Sequence, residues 1–182
     1  MSAAFAATPR EQFLPAQVRS HAAYDGPLDI GHGQTSSQPR TVDAMLRLLR
    51  VRPGDRVLDV GAGSGWTTAL LAALTGADGR VLGVEVVPEL VVFGAANLAA
   101  VRRPWATIRR AADEVLGLPE DAPFDRILVS AEAKELPAAL VAQLAPGGRM
   151  VAPVAGRMLL VVRGVDEVEV TRHGHYRFVP LL

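Results

Sequence analysis

The sequence predicts an α/β fold whose sheet is doubly wound and mostly parallel, with a C-terminal antiparallel portion. First, strand-like and helix-like runs alternate from residue 56 to residue 154, which is typical of a parallel sheet covered by helices. Second, a short apolar run leads through closely spaced glycines into a helical pattern. Third, the chain ends in β-like runs without a helical pattern between them, at 157–163, 166–171 and 175–181.

The composition narrows the classes of function. The chain has 182 residues, 49% of them hydrophobic, which is enough for one domain with a full core. A formal net charge of zero argues against a nucleic-acid partner, and the lack of cysteine excludes disulfides, thiolate nucleophiles and cysteine-bound zinc. No apolar run approaches the roughly 20 residues of a membrane span, and no basic stretch opens the N-terminus as in a secretory signal. We therefore expect a cytoplasmic protein.

The N-terminal part is irregular until one amphipathic helix. Residues 9–33 are mixed and polar and predict short helical turns and loops, and segment 31–37 has no apolar residue at all. Pro39 then fits the first turn of a helix, with Ser37 or Gln38 near its N-cap. Four apolar residues at helical spacing predict the buried face of this helix, namely Val42, Met45, Leu46 and Leu49.

The stretch 56–67, RVLDVGAGSGWT, predicts a buried strand, a glycine turn and the start of a helix. Such a turn lets the backbone approach a ligand closely, and the helix offers free N–H groups. A dinucleotide site has the spacing G-x-G-x-x-G, but its third glycine position is occupied by Trp66. The spacing G-x-G-x-G, preceded by the acid Asp59, resembles instead the first motif of S-adenosylmethionine-dependent methyltransferases.

The later elements bring polar residues to one edge of the sheet. We predict strands at 56–60, 80–85, 107–109, 124–130 and 149–154, helices at 66–75, 88–100 and 137–144, and a turn at 146–148. Glu85 and Ser130 end strands and Asp113 follows one, so they converge with the glycine turn. Glu85 stands where dinucleotide folds and methyltransferases alike carry an acid for the ribose hydroxyls.

Four further segments resemble one methyltransferase family. They are PREQF at 9–13, GQTSSQP at 33–39, PGG at 146–148 and RFVPL at 177–181. On these segments the chain resembles the protein-L-isoaspartate O-methyltransferases from about residue 8 to its end. The resemblance implies a Rossmann-like methyltransferase fold with S-adenosyl-L-methionine as cofactor. It also implies methyl transfer to the free carboxylate of L-isoaspartyl residues in damaged proteins or peptides, which is protein repair.

The resemblance assigns candidate site residues. Ser37 falls on the family's active-site serine and is the catalytic candidate. The substrate-binding candidates are His32, Gln34, Thr35 and Ser36. The cofactor-binding candidates are Thr35, Asp59, Gly61, Ala62, Gly63, Ser64, Gly65, Glu85, Val86, Asp113 and Glu114. A carboxylate acceptor with a pKa near 4 is already ionised at pH 7, so no general base is needed, and no metal is expected.

The sequence also departs from the family pattern. Asp113 aligns with the Asp of a G-D-G motif that contacts the adenine end of the cofactor, but both glycines are replaced. The charged residues Glu132, Lys134 and Glu135 stand where the family has small neutral residues. They either change the peptide preference or form a solvated face. Fewer residues than usual precede the segment at 9–13.

These departures leave alternatives open. The acceptor is either isoaspartate in a damaged protein or an Asp of a specialised biosynthetic peptide. Alternatively, the chain binds the cofactor but is inactive without a partner. Methylation of nucleic-acid bases is disfavoured, because Ser130-Ala131-Glu132 replaces the Pro-Pro-aromatic motif typical after the fourth strand. The expected partner is a peptide or protein carrying isoaspartate, with no nucleic acid, no membrane and the oligomeric state open.

We expect a single methyltransferase domain over residues 1–182, since no repeat or Gly-, Ser- or Pro-rich linker divides the chain. Within it, residues 1–37 form an N-terminal cap and substrate-site loop. Residues 38–155 form the Rossmann-like core, and residues 156–182 form a C-terminal β region.

Overall fold

The computed structural model describes residues 1–181. Its α-helices are α1 (Ser2–Ala6), α2 (Pro39–Leu49), α3 (Trp66–Thr75), α4 (Pro88–Ala100) and α5 (Ala138–Ala142). Its strands are β1 (Leu28–Gly31), β2 (Gln34–Ser36), β3 (Arg56–Val60), β4 (Arg80–Glu85), β5 (Ala106–Arg110), β6 (Phe124–Val129), β7 (Leu144–Val154), β8 (Arg157–Arg163) and β9 (Val168–His175). Short 3₁₀ helices cover Arg10–Phe13, Ala16–His21 and Pro119–Asp121. No helix in this part of the chain is long and apolar enough to cross a lipid bilayer.

Seven strands form one sheet in the order β5-β4-β3-β6-β7-β8-β9. The strands from β5 to β7 pair in parallel, and β8 and β9 add to them antiparallel. The predicted doubly wound sheet with an antiparallel C-terminal portion is thereby confirmed. The strand order reverses between β3 and β6, and such a reversal opens a crevice beyond the carboxyl ends of the strands.

The central strands are buried on both faces, because successive side chains of a strand point to opposite sides of the sheet. In β3, Val57 packs in one apolar cluster with residues of α2 and α3, whereas Leu58 packs in a second cluster with residues of β6, β7 and α5. The apolar face predicted for α2 is buried as expected. This packing fixes the strand ends that carry the candidate site.

The loop predicted at 31–37 contains part of a β-hairpin. β1 and β2 pair antiparallel with Gly31 opposite Gln34, so that His32 and Gly33 form the turn. Both turn residues have positive φ, 56° and 70°, as a two-residue type I′ turn requires. Ile30 is buried and ties the hairpin to the body of the protein. The 3₁₀ helices before it agree with the helical turns predicted within residues 9–33.

The predicted strands at 166–171 and 175–181 are wrong in their bounds. One strand, β9, replaces the first, and residues 176–181 leave the β8 ladder for the end of β6, where Pro180 forms a single bridge with Glu132. Gly174, with a φ of 69°, bends the chain where the strand ends, and Pro180 has no N–H for a sheet ladder. Residue 182 of the predicted C-terminal β region lies outside the described residues.

The helix predicted at 137–144 is shorter than expected. It ends at Ala142 because Leu144 already pairs with Phe124 as the first residue of β7. The turn predicted at 146–148 lies inside the bounds of β7, where the register with β6 shifts. The Gly-Gly turn is therefore a bulge in a sheet strand, a feature that glycines permit and that a sequence pattern reads as a loop.

Candidate functional site

A cavity of about 450 Å³ lies in the crevice beyond the carboxyl ends of β3, β4 and β6. Most of the residues predicted for the site line it, namely Gln34, Thr35, Ser36, Ser37, Gly61, Ala62, Gly63, Ser64, Glu85, Val86, Asp113 and Glu114. Three of the predicted residues do not line it, namely His32, Asp59 and Gly65. Apolar side chains that sequence reasoning did not assign complete the wall, among them Ile30, Trp66, Leu116, Val179 and Leu181.

The glycine turn is held rigidly between β4 and α4. The N–H groups of Gly61 and Ala62 both donate to the Val84 carbonyl, at 2.9 and 3.0 Å. Gly65 serves packing instead of lining the cavity, because a Cβ atom there would lie 2.8 Å from the carbonyl oxygen of Gly94 in α4. Only a glycine permits this approach at a φ of 86°. The close contact explains why the pattern needs Gly65 even though the cavity does not reach it.

Glu85 has a carboxylate that the backbone orients completely. Its Oε2 accepts the Gly63 N–H at 2.8 Å, and its Oε1 accepts the N–H groups of Val86 and Val87 at 2.8 and 3.0 Å. The side chain is buried and lies on the cavity wall. The two N–H groups on Oε1 fill its acceptor sites, and Oε2 keeps one site free, so Glu85 can still accept a hydrogen bond from one ligand hydroxyl. A ligand that carries a hydroxyl group suits this arrangement.

Asp59 lies beneath the turn and supports it from below. Its Oδ2 accepts hydrogen bonds from the hydroxyls of Thr67 and Thr68, at 2.8 and 2.7 Å, which ties β3 to the start of α3. The side chain is completely buried, and its Oδ1 is the only buried side-chain N or O atom without a partner in residues 1–181. The pKa of Asp59 is raised to about 6, chiefly by burial and to a smaller extent by the nearby charge of Glu85, while the hydrogen bonds from the two hydroxyls act in the opposite direction.

We expect Asp59→Asn to change how stability depends on pH. The folded protein holds the Asp59 proton up to about pH 6, whereas the group titrates near 3.8 when unfolded. Between these values the folded state binds more protons, so the group's contribution to the free energy of unfolding falls as pH rises, by about 3 kcal/mol in all. Because asparagine does not titrate, residue 59 of the variant causes no such decrease in the free energy of unfolding. The unfolding free energy of the variant relative to wild type should therefore rise between pH 4 and pH 7.

Urea unfolding of both proteins at pH 4, 5, 6 and 7 measures this difference. Groups shared by the two proteins titrate in both and cancel in the comparison. Parallel pH profiles for wild type and Asp59→Asn would show that Asp59 titrates normally and is not isolated from water.

Arg10, in the first 3₁₀ helix, anchors the hairpin segment that carries the predicted serines. Its Nε donates to the Ser36 hydroxyl at 3.0 Å, and its Nη2 donates to the carbonyls of Ser36 and Gly26 at 2.8 and 2.9 Å. Nη1 donates to the Tyr24 carbonyl at 3.0 Å, and the guanidinium lies 5.5 Å from the centre of the Trp66 ring. Burial lowers the pKa of Arg10 to about 10, so the group stays charged at neutral pH.

The two serines differ in what they can contact. The Ser36 side chain is buried and its hydroxyl is bonded to Arg10. The Ser37 hydroxyl makes no hydrogen bond to any other residue of the described chain, and Ser37 lines both the cavity and a neighbouring groove. Ser37 is also not the N-cap of α2, a position that Gln38 occupies without a side-chain cap hydrogen bond. Of the two, Ser37 is the one with a hydroxyl available to an acceptor.

Residues 111–117 form the wall beyond β5. Asp113 lines the cavity, but its carboxylate points outward, where its side chain is 91% exposed and pairs with Arg110 at 3.6 Å. Glu114 has a φ of 61°, so the position of the second family glycine keeps a backbone conformation that favours glycine. Gln143 holds the end of this segment, accepting the Leu118 N–H and donating to the Leu116 carbonyl, both at 2.8 Å.

The charged residues 132–135 divide into two kinds. Lys134 and Glu135 are exposed, as expected of a solvated face. Glu132 is half-buried, and its carboxylate accepts the Gly156 N–H at 3.1 Å and the Phe178 N–H at 3.3 Å. Its backbone bonds to Val179 and Leu181 in addition. Glu132 therefore fastens the C-terminal segment that closes one side of the cavity.

The histidines lie apart from the cavity. His32 is exposed at the tip of the hairpin, and His173 and His175 lie on β9. Over residues 1–181, no group of three or more His, Cys, Asp or Glu side chains is arranged to hold a metal ion.

A family model matches the whole chain. The model described as protein-L-isoaspartate(D-aspartate) O-methyltransferase (PCMT) matches residues 1–182. The chain is 45% identical to the protein-L-isoaspartate O-methyltransferase of Methanopyrus kandleri over 179 residues, covering 96% of this chain and 79% of that protein. It is 44% identical to the protein of the same name from Methanothrix thermoacetophila over 181 residues, covering 98% of this chain and 86% of that one.

Solved structures agree with this match. One protein-L-isoaspartate O-methyltransferase superposes with a TM-score of 0.89 at 26% identity, over 99% of this chain and 60% of its own. A Plasmodium falciparum protein described as the same kind of enzyme was solved with S-adenosyl-L-homocysteine. It superposes with a TM-score of 0.83 at 27% identity, over 99% of this chain and 88% of its own.

Proposed function

The chain belongs to the protein-L-isoaspartate(D-aspartate) O-methyltransferase family, and from this premise we propose the roles that its residues play. The reaction is methyl transfer from S-adenosyl-L-methionine to the free carboxylate of an L-isoaspartyl residue in a damaged protein or peptide. The observation that carries the proposal is the backbone-oriented carboxylate of Glu85 beside the glycine turn, with the open hydroxyl of Ser37 lining the same cavity.

The cavity suits the cofactor. Its volume of about 450 Å³ falls in the range of small-molecule sites. We assign the ribose to Glu85, the amino-acid end to the turn at 61–64, and the adenine to the wall formed by Val86 and residues 111–117. The unpaired Asp59 oxygen places negative charge beneath the turn, which favours a cationic ligand. Thr35 and Gln34 close the cavity from the hairpin side.

When bound, the cofactor supplies a methyl group on a sulfonium cation. A carboxylate oxygen of the acceptor forms the new bond to the methyl carbon, and the electron pair of the broken carbon–sulfur bond stays on sulfur. No proton moves, so no side chain has to act as a base. The positive charge of the sulfonium and the negative charge of the carboxylate neutralise each other in the transition state. The apolar wall, including Ile30, Leu116 and Val179, favours the reaction because it excludes the water that would stabilise the separate charges.

We assign Ser37 to orient the acceptor carboxylate by donating a hydrogen bond to one of its oxygens. Positioning is the main contribution a protein can make to a reaction that needs no base. Ser36 has a structural role in this proposal, because its hydroxyl accepts the hydrogen bond from Arg10. The exposed His32 has no assigned role.

A test is methyl transfer from labelled S-adenosyl-L-methionine to an isoaspartyl peptide, with the matching aspartyl peptide as control. We expect labelling of the isoaspartyl peptide alone. Ser37→Ala should lower kcat/KM about 10-fold to 100-fold, which corresponds to one hydrogen bond to a charged group, and leave the cofactor Kd nearly unchanged.

Ser36→Ala is the matched control variant. It should lower the melting temperature more than Ser37→Ala does, because it removes the partner of a buried guanidinium. Labelling of the aspartyl peptide would favour a specialised biosynthetic acceptor. Cofactor binding without labelling of either peptide would contradict the proposal and favour a protein that needs a partner.

We also propose that residues 1–182 act as one methyltransferase domain in the cytoplasm, on isoaspartyl protein and without nucleic acid or membrane. Cell fractionation with an antibody to this chain tests the location.

A further inference from the structure

A groove of about 770 Å³ runs beside the reaction cavity. It lies between the start of α2 and the segment 175–179, and it shares Thr35, Ser37, Ser130 and Val179 with the cavity. A peptide whose carboxylate reaches Ser37 from outside therefore has its neighbouring residues in this groove. The reaction cavity is smaller, at about 450 Å³.

Basic side chains line the groove, whereas acidic side chains do not. Its basic lining residues are Arg40, His175 and Arg177, and no Asp or Glu lines it. Arg40 pairs with Asp25 at 2.8 Å, which offsets its charge. Arg177 is exposed and lies within 4 Å of no carboxylate in the part of the chain that the structure describes. The groove thus presents one uncompensated guanidinium to whatever occupies it.

The backbone on both sides of Arg177 is fixed. The Tyr176 N–H donates to the Gly156 carbonyl at 3.0 Å, and the Phe178 N–H donates to the Glu132 carboxylate at 3.3 Å. Glu132 itself does not line the groove. The backbone of Arg177 is therefore held at one place along the path of the acceptor.

We propose that the groove selects isoaspartyl acceptors with an acidic residue next to the isoaspartate or two positions away, and that Arg177 is the specificity-determining residue. This inference rests on the proposed function. An acidic side chain in the groove meets the guanidinium of Arg177, and a basic side chain meets a like charge. Because Arg177 is exposed, the expected selection is moderate, about threefold to fivefold in KM, and it weakens with salt.

The test uses three end-blocked heptapeptides with a central isoaspartate. One is otherwise neutral, one carries Glu two positions away on each side, and one carries Lys there. For wild type we expect KM to be lowest for the Glu peptide and highest for the Lys peptide, with similar kcat. Arg177→Gln should remove the difference and Arg177→Glu should reverse its order. Arg172→Gln, which removes an exposed arginine of β9 outside the groove, should keep the wild-type order.

Equilibrium binding of the same peptides to enzyme loaded with S-adenosyl-L-homocysteine measures how strongly the groove discriminates between them when no methyl transfer occurs. Equal affinities for the three peptides, or an unchanged order in Arg177→Glu, would overturn the inference, while methylation of the neutral peptide would still uphold the proposed function. Charge-ordered binding without methylation of any peptide would support the groove and contradict the proposed function instead.

Discussion

Glu85→Ala should weaken the binding of S-adenosyl-L-homocysteine by roughly 10-fold to 150-fold. The wild-type carboxylate is held by three backbone N–H groups and keeps one acceptor site for a ribose hydroxyl. A hydrogen bond to a charged group contributes about 1.5–3 kcal/mol, and the variant loses this bond. Isothermal titration calorimetry of both proteins measures the difference. Glu89→Gln, an exposed acid of α4 a few residues away, should leave the Kd unchanged.

An analogue of the ligand without ribose hydroxyls separates binding from a general disturbance of the turn. Wild type should bind this analogue far more weakly than the complete ligand, whereas Glu85→Ala should bind the two about equally. If the variant still discriminates between them as wild type does, the hydroxyls are bound elsewhere and the assignment of Glu85 is wrong.

Arg10→Met should have the largest effect on stability, lowering the free energy of unfolding by about 3 kcal/mol. Four hydrogen bonds from one buried guanidinium are lost, and the carbonyls of Tyr24, Gly26 and Ser36 lose these donors. Because the same guanidinium holds the segment that carries Thr35 and Ser37, kcat/KM should fall at least tenfold, with a smaller change in the cofactor Kd. Urea unfolding and steady-state kinetics measure the two effects.

Arg47→Met is the matched comparison for this variant. Arg47 is an exposed residue of α2 that pairs with Asp43 one turn away, and its loss should leave the unfolding midpoint unchanged. A stable Arg10→Met protein with wild-type kcat/KM would show that the hairpin keeps its position without the guanidinium.

Local patterns predict the centre of this molecule well. The strand, glycine turn and helix at 56–75 and the strand that ends at Glu85 lie where the sequence places them, because buried parallel strands and the turn between them leave a strong local signal. The hairpin at 28–36 cannot be predicted in this way, since its strands are only four and three residues long and its turn is His-Gly. Short strands of mixed polarity carry no such signal.

The roles of single side chains were harder to predict, since they depend on contacts distant in sequence. Arg10 reaches Ser36 across 26 residues, and Gln143 reaches Leu118 across 25. Glu132 is charged, as solvated residues usually are. It is more buried than Lys134 because the backbone N–H groups of Gly156 and Phe178 come close to its carboxylate. Asp59 belongs to the glycine motif by spacing, yet its carboxylate faces α3, a direction that the spacing does not contain.

The position of Trp66 gives the enzyme an optical signal of its own. The protein has two tryptophans, and Trp66 lines the cavity, donates its indole N–H to the Thr8 carbonyl at 3.0 Å and lies under the Arg10 guanidinium. Trp105 is bonded to Ala72 on the far side of α3 and does not line the cavity. The intrinsic fluorescence of the protein therefore comes from Trp66, which lies beside the ligand site, and from Trp105, which lies away from it. Occupancy of the site and anchoring of the hairpin are both readable from Trp66 emission without an attached dye.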